Sequence, residues 1–221
     1  MTTRAAEQSG VDVIPATYRA YAELLKARGD APAPRYTYLR GRLTIVSPGL
    51  DHETTKMRMA SMLDPVFLAM GIRFLSAGSV TLWGGTRPRR GTCHGGEPDL
   101  AYYLRDIAAV KDKSRIVMGV DPPPHLVVEV AVSHDPSDTL EVFHKYCVPE
   151  VWVCRAGAVE FRRWAPRAGE GWDVLEMSEA VPCLSADEMA RWLYDPEHDT
   201  GAFLRQYNAW VEQVVRPRIV P

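Results

Sequence analysis

The sequence has few cysteines and no long apolar run, and each absence excludes a class of protein. The four cysteines are scattered and form no CxxC pair, so neither a zinc ribbon nor a disulfide framework is indicated. No window approaches the roughly 18 consecutive apolar residues of a membrane-spanning helix. The opening segment MTTRAAEQSG lacks the apolar stretch of a secretory signal. We therefore expect a cytoplasmic protein without a membrane segment.

An excess of charge and several common catalytic motifs are also missing. The formal net charge is -2, so bulk charge would not hold nucleic acid and any DNA contact needs a local basic patch. The chain contains no P-loop, no GxGxxG after a strand, no HExxH and no GxSxG. These absences argue against nucleotide triphosphatases, dinucleotide-dependent enzymes, zinc proteases of the HExxH type and α/β-hydrolases.

The composition predicts one globular α/β domain. The chain has 221 residues, of which 46% are hydrophobic and 24% charged, the balance of a soluble protein with a sizeable core. Residues 125–132, HLVVEVAV, are too continuously apolar for a half-exposed strand and indicate the middle of a sheet. The helix predicted at 137–147 and the strand VPEVWVC follow, which predicts a crossover and parallel pairing.

The earlier elements are predicted from periodicity and breakers. We expect a helix from Tyr18 that ends at Gly29, followed by a hairpin of strands 36–39 and 43–46. A second helix begins near Asp51 as its cap, with a kink or restart at Pro65. Residues 72–83 and 99–104 alternate as strands.

Two acidic residues stand inside apolar strand patterns. Asp99 opens the run LAYY, Glu129 interrupts the run LVV-VAV, and Glu97 supplies a third carboxylate close by. A buried, unpaired carboxylate costs several kcal/mol, so each needs a cation, a metal or a raised pKa. Two interpretations stay open: the carboxylates share Mg²⁺ and activate water on a phosphodiester, or they form ion pairs with arginines.

His52 and Lys56 are the candidate partners of these acids. They lie four residues apart at the start of the second predicted helix, on its inward stripe. We expect both side chains to face the carboxylates from this stripe and to act as catalytic groups. The alternative is that His52 is a cap or a packed polar residue and that Lys56 is structural.

The order of these motifs resembles the Uma-type restriction endonuclease family of the PD-(D/E)xK nuclease superfamily. The motifs are GRLTIVSP followed by His52, then EPDLAYYL, then PPPHLVVEVAVS, and then the helix that leads into VPEVW. The resemblance runs from Tyr36 to Trp164. It implies a restriction-endonuclease-like mixed sheet with flanking helices, and Asp99 and Glu129 as metal ligands. On this basis we divide the chain into a tail and helix (1–34), the endonuclease-like domain (35–195) and a C-terminal helix (196–221).

The chain departs from the family pattern at the remaining site positions. Position 131, where the ExK form has a lysine, is Ala131. The alternative position for that lysine, on the following helix, is Thr139. The first hairpin, where an acidic residue often stands, reads Thr37-Tyr38-Leu39.

Three functional hypotheses follow. The first is a Mg²⁺-dependent endonuclease that cleaves DNA, with Mn²⁺ as an alternative metal. Asp99 and Glu129 hold the metal with Glu97 as an assisting metal ligand, and His52 or Lys56 handles a proton or charge. The second is a catalytically inactive nuclease-fold module that binds nucleic acid or a protein partner, which the missing lysine favours. The third is a hydrolase of another class built on the same carboxylates. A homodimer is compatible with cutting two strands.

Overall fold

Two six-stranded mixed sheets and their flanking helices make up the fold. The computed structural model describes residues 10–89, 91–132, 135–166 and 171–219, so residues 1–9 of the predicted tail lie outside it. The strands are β1 (Gly10–Pro15), β2 (Arg35–Leu39), β3 (Arg42–Ser47), β4 (Leu75–Ser76), β5 (Leu82–Trp83), β6 (Gly95–Gly96), β7 (Leu100–Tyr103), β8 (Ile116–Val117), β9 (Leu126–Val130), β10 (Glu150–Arg155), β11 (Ala158–Trp164) and β12 (Trp172–Leu175). The helices are α1 (Tyr18–Arg28), α2 (Leu50–Ala69), α3 (Ile107–Val110), α4 (Ser137–Lys145), α5 (Ala186–Leu193), α6 (Thr200–Trp210) and α7 (Arg216–Ile219), with a π-helical turn (Val211–Val215) between the last two. The predicted fold class is confirmed.

The first sheet has the order β1-β3-β2-β6-β5-β8. Its centre is the predicted hairpin, in which β2 and β3 pair antiparallel with Tyr38 opposite Leu43. Strand β1 adds to the hairpin along β3, with Gly10 opposite Ser47. Strand β1 lies in the segment predicted as a polar tail, because that segment has too few apolar residues to show a periodicity. Strand β5 pairs with β8 in parallel, which makes the sheet mixed.

The second sheet has the order β12-β11-β10-β9-β7-β4. Strands β9 and β10 are parallel, with Glu129 opposite Val153, and α4 forms the crossover between them, as predicted. Every residue of β9 is buried, which agrees with its continuous apolar sequence. The predicted strand at 72–83 is shorter than expected: only the two-residue strands β4 and β5 form there.

Alternate residues of β9 face two different cores. Leu126, Val128 and Val130 pack on one side of the second sheet, in a cluster that includes buried residues of α2, α5 and α6. Val127 faces the other side, where α4 and strands of the first sheet supply the contacts. Because side chains alternate along a strand, Glu129 points to the same side as Val127, between the two sheets.

Helix α2 is one continuous helix of 20 residues. It runs through Pro65, so the predicted restart there does not occur. Its N-cap is Gly49 rather than Asp51, so the predicted cap is also wrong. The helix therefore begins earlier than expected, and His52 lies buried in its first turn. No helix in the described ranges is both long and apolar enough to cross a bilayer.

The chain passes from the first sheet to the second at a short acidic segment. Strand β6 belongs to the first sheet and β7 to the second. Glu97, Pro98 and Asp99 form the link between them, and all three are buried. Both acids of this link are therefore held between the sheets, where each needs a donor to balance its charge.

A buried carboxylate at the start of β10 holds a distant turn. Glu150 is 2% exposed. Its Oε1 accepts hydrogen bonds from Trp152 Nε1 at 2.6 Å and from Ser178 Oγ at 2.5 Å. Its Oε2 accepts from the backbone N–H groups of Glu179 and Ala180 at 2.9 and 2.8 Å. This one side chain ties the segment before α5 to the second sheet.

We expect Glu150→Ala to lower the free energy of unfolding by about 3 kcal/mol, because two buried and two partly buried donors lose their acceptor at once. Urea denaturation followed by circular dichroism measures the change. Glu23→Ala, at an exposed position of α1, is the matched control and is expected to shift stability by less than about 0.5 kcal/mol. A loss below about 1 kcal/mol at Glu150 would contradict the assigned role.

Candidate functional site

Asp99 and Glu129 lie together on neighbouring strands between the two sheets. The Asp99 backbone N–H donates to the carbonyl of Val128 at 3.0 Å, and Asp99 Oδ2 accepts from the N–H of Val130 at 2.7 Å. Asp99 therefore bonds to the residues on both sides of Glu129. Both side chains are buried, at 0% and 4% exposure. Both acids are buried as predicted; Glu129 lies within β9, whereas Asp99 immediately precedes β7.

One arginine balances this pair of acids. Arg35, the first residue of β2, donates from Nη1 to Asp99 Oδ1 in a buried ion pair. Burial opposes the charge on Arg35, but the nearby Asp99 and Glu129 carboxylates outweigh it and raise the pKa of the guanidinium. Arg35 therefore bonds to Asp99 and interacts electrostatically with Glu129.

His52 contacts both members of this ion pair. Its Nε2 lies 3.0 Å from Asp99 Oδ1 and 2.9 Å from Arg35 Nη2. A single nitrogen either donates its proton to the carboxylate or accepts one from the guanidinium. The two contacts are therefore alternatives, and the proton on His52 determines which one forms.

Lys56 is connected to the Asp99–Arg35 ion pair through Glu53 and His52. Lys56 Nζ donates to Glu53 Oε2 at 2.9 Å, and Glu53 Oε1 lies 3.3 Å from His52 Nδ1. Burial favours the neutral acid at Glu53, but the Lys56 hydrogen bond and the charges of Lys56, His52 and Arg35 hold its pKa below the ordinary value. His52 and Lys56 were predicted as site residues, whereas Glu53, which links them, was not.

Burial also opposes ionisation of Asp99, yet its pKa is lowered. The His52 hydrogen bond, the Arg35 charge and the N–H of Val130 all favour the carboxylate and outweigh the burial. Asp99 is therefore ionised at neutral pH. Arg35 was not predicted as a site residue; the available signal was its position two residues before Thr37, on the inward face of a strand.

Glu97 is bound by a different set of donors. Arg28 donates to both of its oxygens, at 2.7 Å from Nη1 and 2.5 Å from Nη2. Thr81 Oγ1 donates to Oε1 at 2.5 Å, and the backbone N–H of Tyr36 donates to Oε2 at 2.9 Å. Glu97 therefore links α1, β2 and the β6–β7 segment. Metal ligation by Glu97 would require some of these bonds to be exchanged.

Two of the positions that depart from the family pattern, Thr37 and Thr139, are in contact. Thr37 Oγ1 and Thr139 Oγ1 lie 3.1 Å apart, and both residues are buried. Ala131 is 1% exposed, and its N–H donates to the Cys154 carbonyl at 2.9 Å. A neutral hydroxyl pair therefore occupies the place where an acid and a lysine were sought in the sequence.

The donor set at Asp99 and Glu129 fits a hard divalent cation by its chemistry. Mg²⁺ prefers oxygen ligands and is commonly held by one or two carboxylates, with water and substrate phosphate completing the shell. Within the described residues, no group of three or more His, Cys, Asp or Glu side chains is arranged to hold a metal. Two carboxylates satisfy the Mg²⁺ pattern, on the condition that Arg35 moves away from Asp99 Oδ1.

Comparisons with known proteins identify the family. The family model Uma2, described as "Putative restriction endonuclease", matches residues 18–190, which include every residue of the site. The chain belongs to the Uma2 family. The resemblance stated from the sequence is thus confirmed.

One solved structure of a similar protein shares the fold. It is described as a putative nuclease belonging to DUF820 from Anabaena variabilis. It has a TM-score of 0.54 and 15% sequence identity to this chain, and the match covers 81% of this chain and 99% of that one. At this identity the likeness shows the fold alone. No curated protein matches the sequence. Membership of the Uma2 family, whose model is described as "Putative restriction endonuclease", supports a nuclease.

We expect Asp99→Asn to lower the free energy of unfolding by about 3 kcal/mol or more at pH 7, because Arg35 keeps a buried charge without its partner. His52, Arg35 and the Val130 N–H hold the folded-state pKa of Asp99 below its ordinary value of 3.8, although burial opposes this. Its contribution is therefore fully present above that value and is lost as the pH falls through the folded pKa. Urea denaturation between pH 2 and pH 7 should show a shallower acid loss in the variant.

The matched control for this experiment is Asp112→Asn, whose side chain is 83% exposed. It should leave both the stability at pH 7 and the acid profile close to wild type, because an exposed ion pair contributes little. Equal profiles for the wild type and Asp99→Asn below pH 4 would contradict the lowered pKa.

Proposed function

We propose that the protein is a Mg²⁺-dependent endonuclease that hydrolyses phosphodiester bonds in DNA, with Mn²⁺ as an alternative metal. The observation that supports this proposal is that two buried carboxylates, Asp99 beside β7 and Glu129 in the neighbouring strand β9, both favour the positive charge on Arg35. The cofactor follows from their chemistry, since oxygen donors suit Mg²⁺. The partner follows from the family, whose members are described as restriction endonucleases.

In this proposal Asp99 and Glu129 hold the metal. When bound, Mg²⁺ would supply Lewis-acid activation of water and stabilise negative charge on the phosphodiester. Arg35, released from Asp99, would remain beside the pair as a fixed positive charge for a phosphate oxygen. Glu97 stays bonded to Arg28 and assists by holding the β6–β7 segment in place.

His52 is the proposed proton carrier. Its Nε2 either donates to Asp99 or accepts from Arg35, so a change in the position of Arg35 changes which of these two contacts His52 makes. Lys56 acts through Glu53, whose charge holds the other ring nitrogen. We therefore propose His52 as a catalytic residue and Lys56 as a residue that positions it.

A catalytically inactive binding module is the second candidate. Two observations favour it: the Arg35 guanidinium already neutralises Asp99, and Thr37 and Thr139 bond to each other where an acid and a lysine were sought. An arginine that replaces the metal would keep the fold stable without cleavage. In that case the chain would bind nucleic acid or a protein partner through the same fold.

We propose that the protein acts on DNA in the cytoplasm. Cutting both strands takes two sites, which a homodimer would supply. The dimer is a proposal that rests on this geometric requirement alone, and analytical ultracentrifugation of the purified protein tests it.

We expect Glu129→Gln to abolish Mg²⁺ binding in a calorimetric titration and to lower cleavage of plasmid DNA about 100-fold or more. The reason is that the amide keeps the shape of the side chain and removes the charge that holds the cation. Glu141→Gln, on the outer face of α4 where Glu141 pairs with Lys145 at 3.2 Å, is the matched control and should cleave like wild type. Mg²⁺ binding that survives in Glu129→Gln, together with unchanged cleavage, would refute the metal assignment.

The inactive-module candidate has its own test. This candidate holds that the wild type cleaves DNA only at background level because the lysine is missing. Thr139→Lys is then expected to raise Mg²⁺-dependent cleavage at least about 10-fold above the wild type. Thr54→Lys, at an exposed position near the start of α2, is the control for an added positive charge. A wild type that already cleaves well would reject this candidate directly.

A further inference from the structure

A cavity of about 410 Å³ lies beside the site. It is bounded by the end of α1, the following segment 29–32, the start of β2 and residues near β5 and β8. Arg35 and Glu97 line it, so the cavity and the carboxylate pair share a wall. Neither the proposed catalysis nor the family assignment uses this space.

Three arginines converge on this cavity. Arg28 and Arg35 lie at the inner wall, where their guanidinium ends are held by Glu97 and Asp99. The Nε atoms of both arginines are buried donors with no acceptor among the described residues. These two donors have almost no accessible surface, so a ligand in the cavity reaches them only if the arginine side chains shift. Arg115 is exposed and adds a third guanidinium.

Asp30 is a second acid in the lining besides Glu97, so the three arginines exceed the acids by one charge. Most of the other lining residues carry hydroxyl groups or are apolar. Ser79, Thr81 and Ser114 supply hydroxyl groups. Leu25, Val80, Trp83 and Ile116 supply apolar and aromatic surface. A ligand that fits must therefore carry both an anionic group and an apolar ring. The volume lies in the range of roughly 300–1,000 Å³ that is usual for small-molecule sites.

We infer that this cavity binds a nucleotide, with its phosphate against the arginines and its base against the apolar wall. Arginine is well suited to phosphate because its planar fork donates two hydrogen bonds to adjacent oxygens. Stacking and apolar contact with Trp83 and Ile116 suit the flat face of a base. The nucleotide is either free or part of a DNA strand; the second case rests on the proposed nuclease function and places the strand next to Asp99.

Calorimetric titration with deoxythymidine 5′-monophosphate tests this inference. The chelator EDTA is present throughout, so the result does not depend on the metal site or on cleavage. We expect the monophosphate to bind and thymidine, which lacks the phosphate, to bind at least about 10-fold more weakly. No binding of the monophosphate, or equal binding of thymidine, would overturn the inference.

Two variants separate the cavity from general positive charge. Arg115→Ala removes an exposed arginine of the cavity and is expected to weaken binding of the monophosphate about 10-fold. Arg205→Ala, which removes an exposed arginine of α6 outside the cavity, should leave binding unchanged. Ala31→Phe adds bulk at an exposed cavity position without a change in charge and should also weaken binding. Equal affinities for wild type, Arg115→Ala and Ala31→Phe would overturn the assignment to this cavity.

Two competitors identify the source of the nucleotide. A short single-stranded oligodeoxynucleotide that displaces the monophosphate supports a strand-borne nucleotide. Failure to displace overturns the link to DNA and assigns the cavity to a free nucleotide. Inorganic phosphate that binds as tightly as the monophosphate would overturn the role of the base. A protein that binds the monophosphate but cleaves no DNA would disprove the proposed function and keep this inference.

Discussion

The buried ion pair of Asp99 and Arg35 joins the two sheets, and the arrangement of the site depends on it. Arg35 begins β2 in the first sheet, and Asp99 immediately precedes β7 in the second. Asp99 is fully buried. Its charge is stabilised because Arg35 donates to one carboxylate oxygen and the Val130 N–H donates to the other. The same pair fixes His52 at the start of α2. Four separate elements therefore meet at one carboxylate.

This arrangement explains why one site supports two functional candidates. Asp99 and Glu129 create a position that must hold a positive charge, whatever its source. An arginine fulfils that requirement from within the chain, and a divalent cation fulfils it from solution. The arginine is always available and carries one charge, whereas Mg²⁺ brings two charges and coordinates substrate oxygens. In the proposed function, catalysis would depend on whether a metal displaces Arg35 from Asp99.

Glu97 shows how the neighbouring cavity is connected to this competition. It lies two residues from Asp99, and its bonds to Arg28 and to the Tyr36 N–H hold α1 against β2. Arg35 lines the cavity on one side and neutralises Asp99 on the other. A phosphate in the cavity would offer Arg35 a second acceptor. Binding in the cavity and release of Asp99 are therefore physically coupled through one side chain.

Local periodicity was enough to predict the central strands, their parallel crossover and the buried acids. A continuous apolar run with one carboxylate, as in β9, shows both the strand and the residue that needs a partner, because burial and alternation act over a few neighbouring residues. Only the tertiary structure decided that the partner is Arg35, 64 residues from Asp99, and that Thr37 meets Thr139, 102 residues away. Strands of two residues, such as β6 and β8, carry no period at all. Such contacts arise from how whole elements pack, and no short stretch of sequence encodes them.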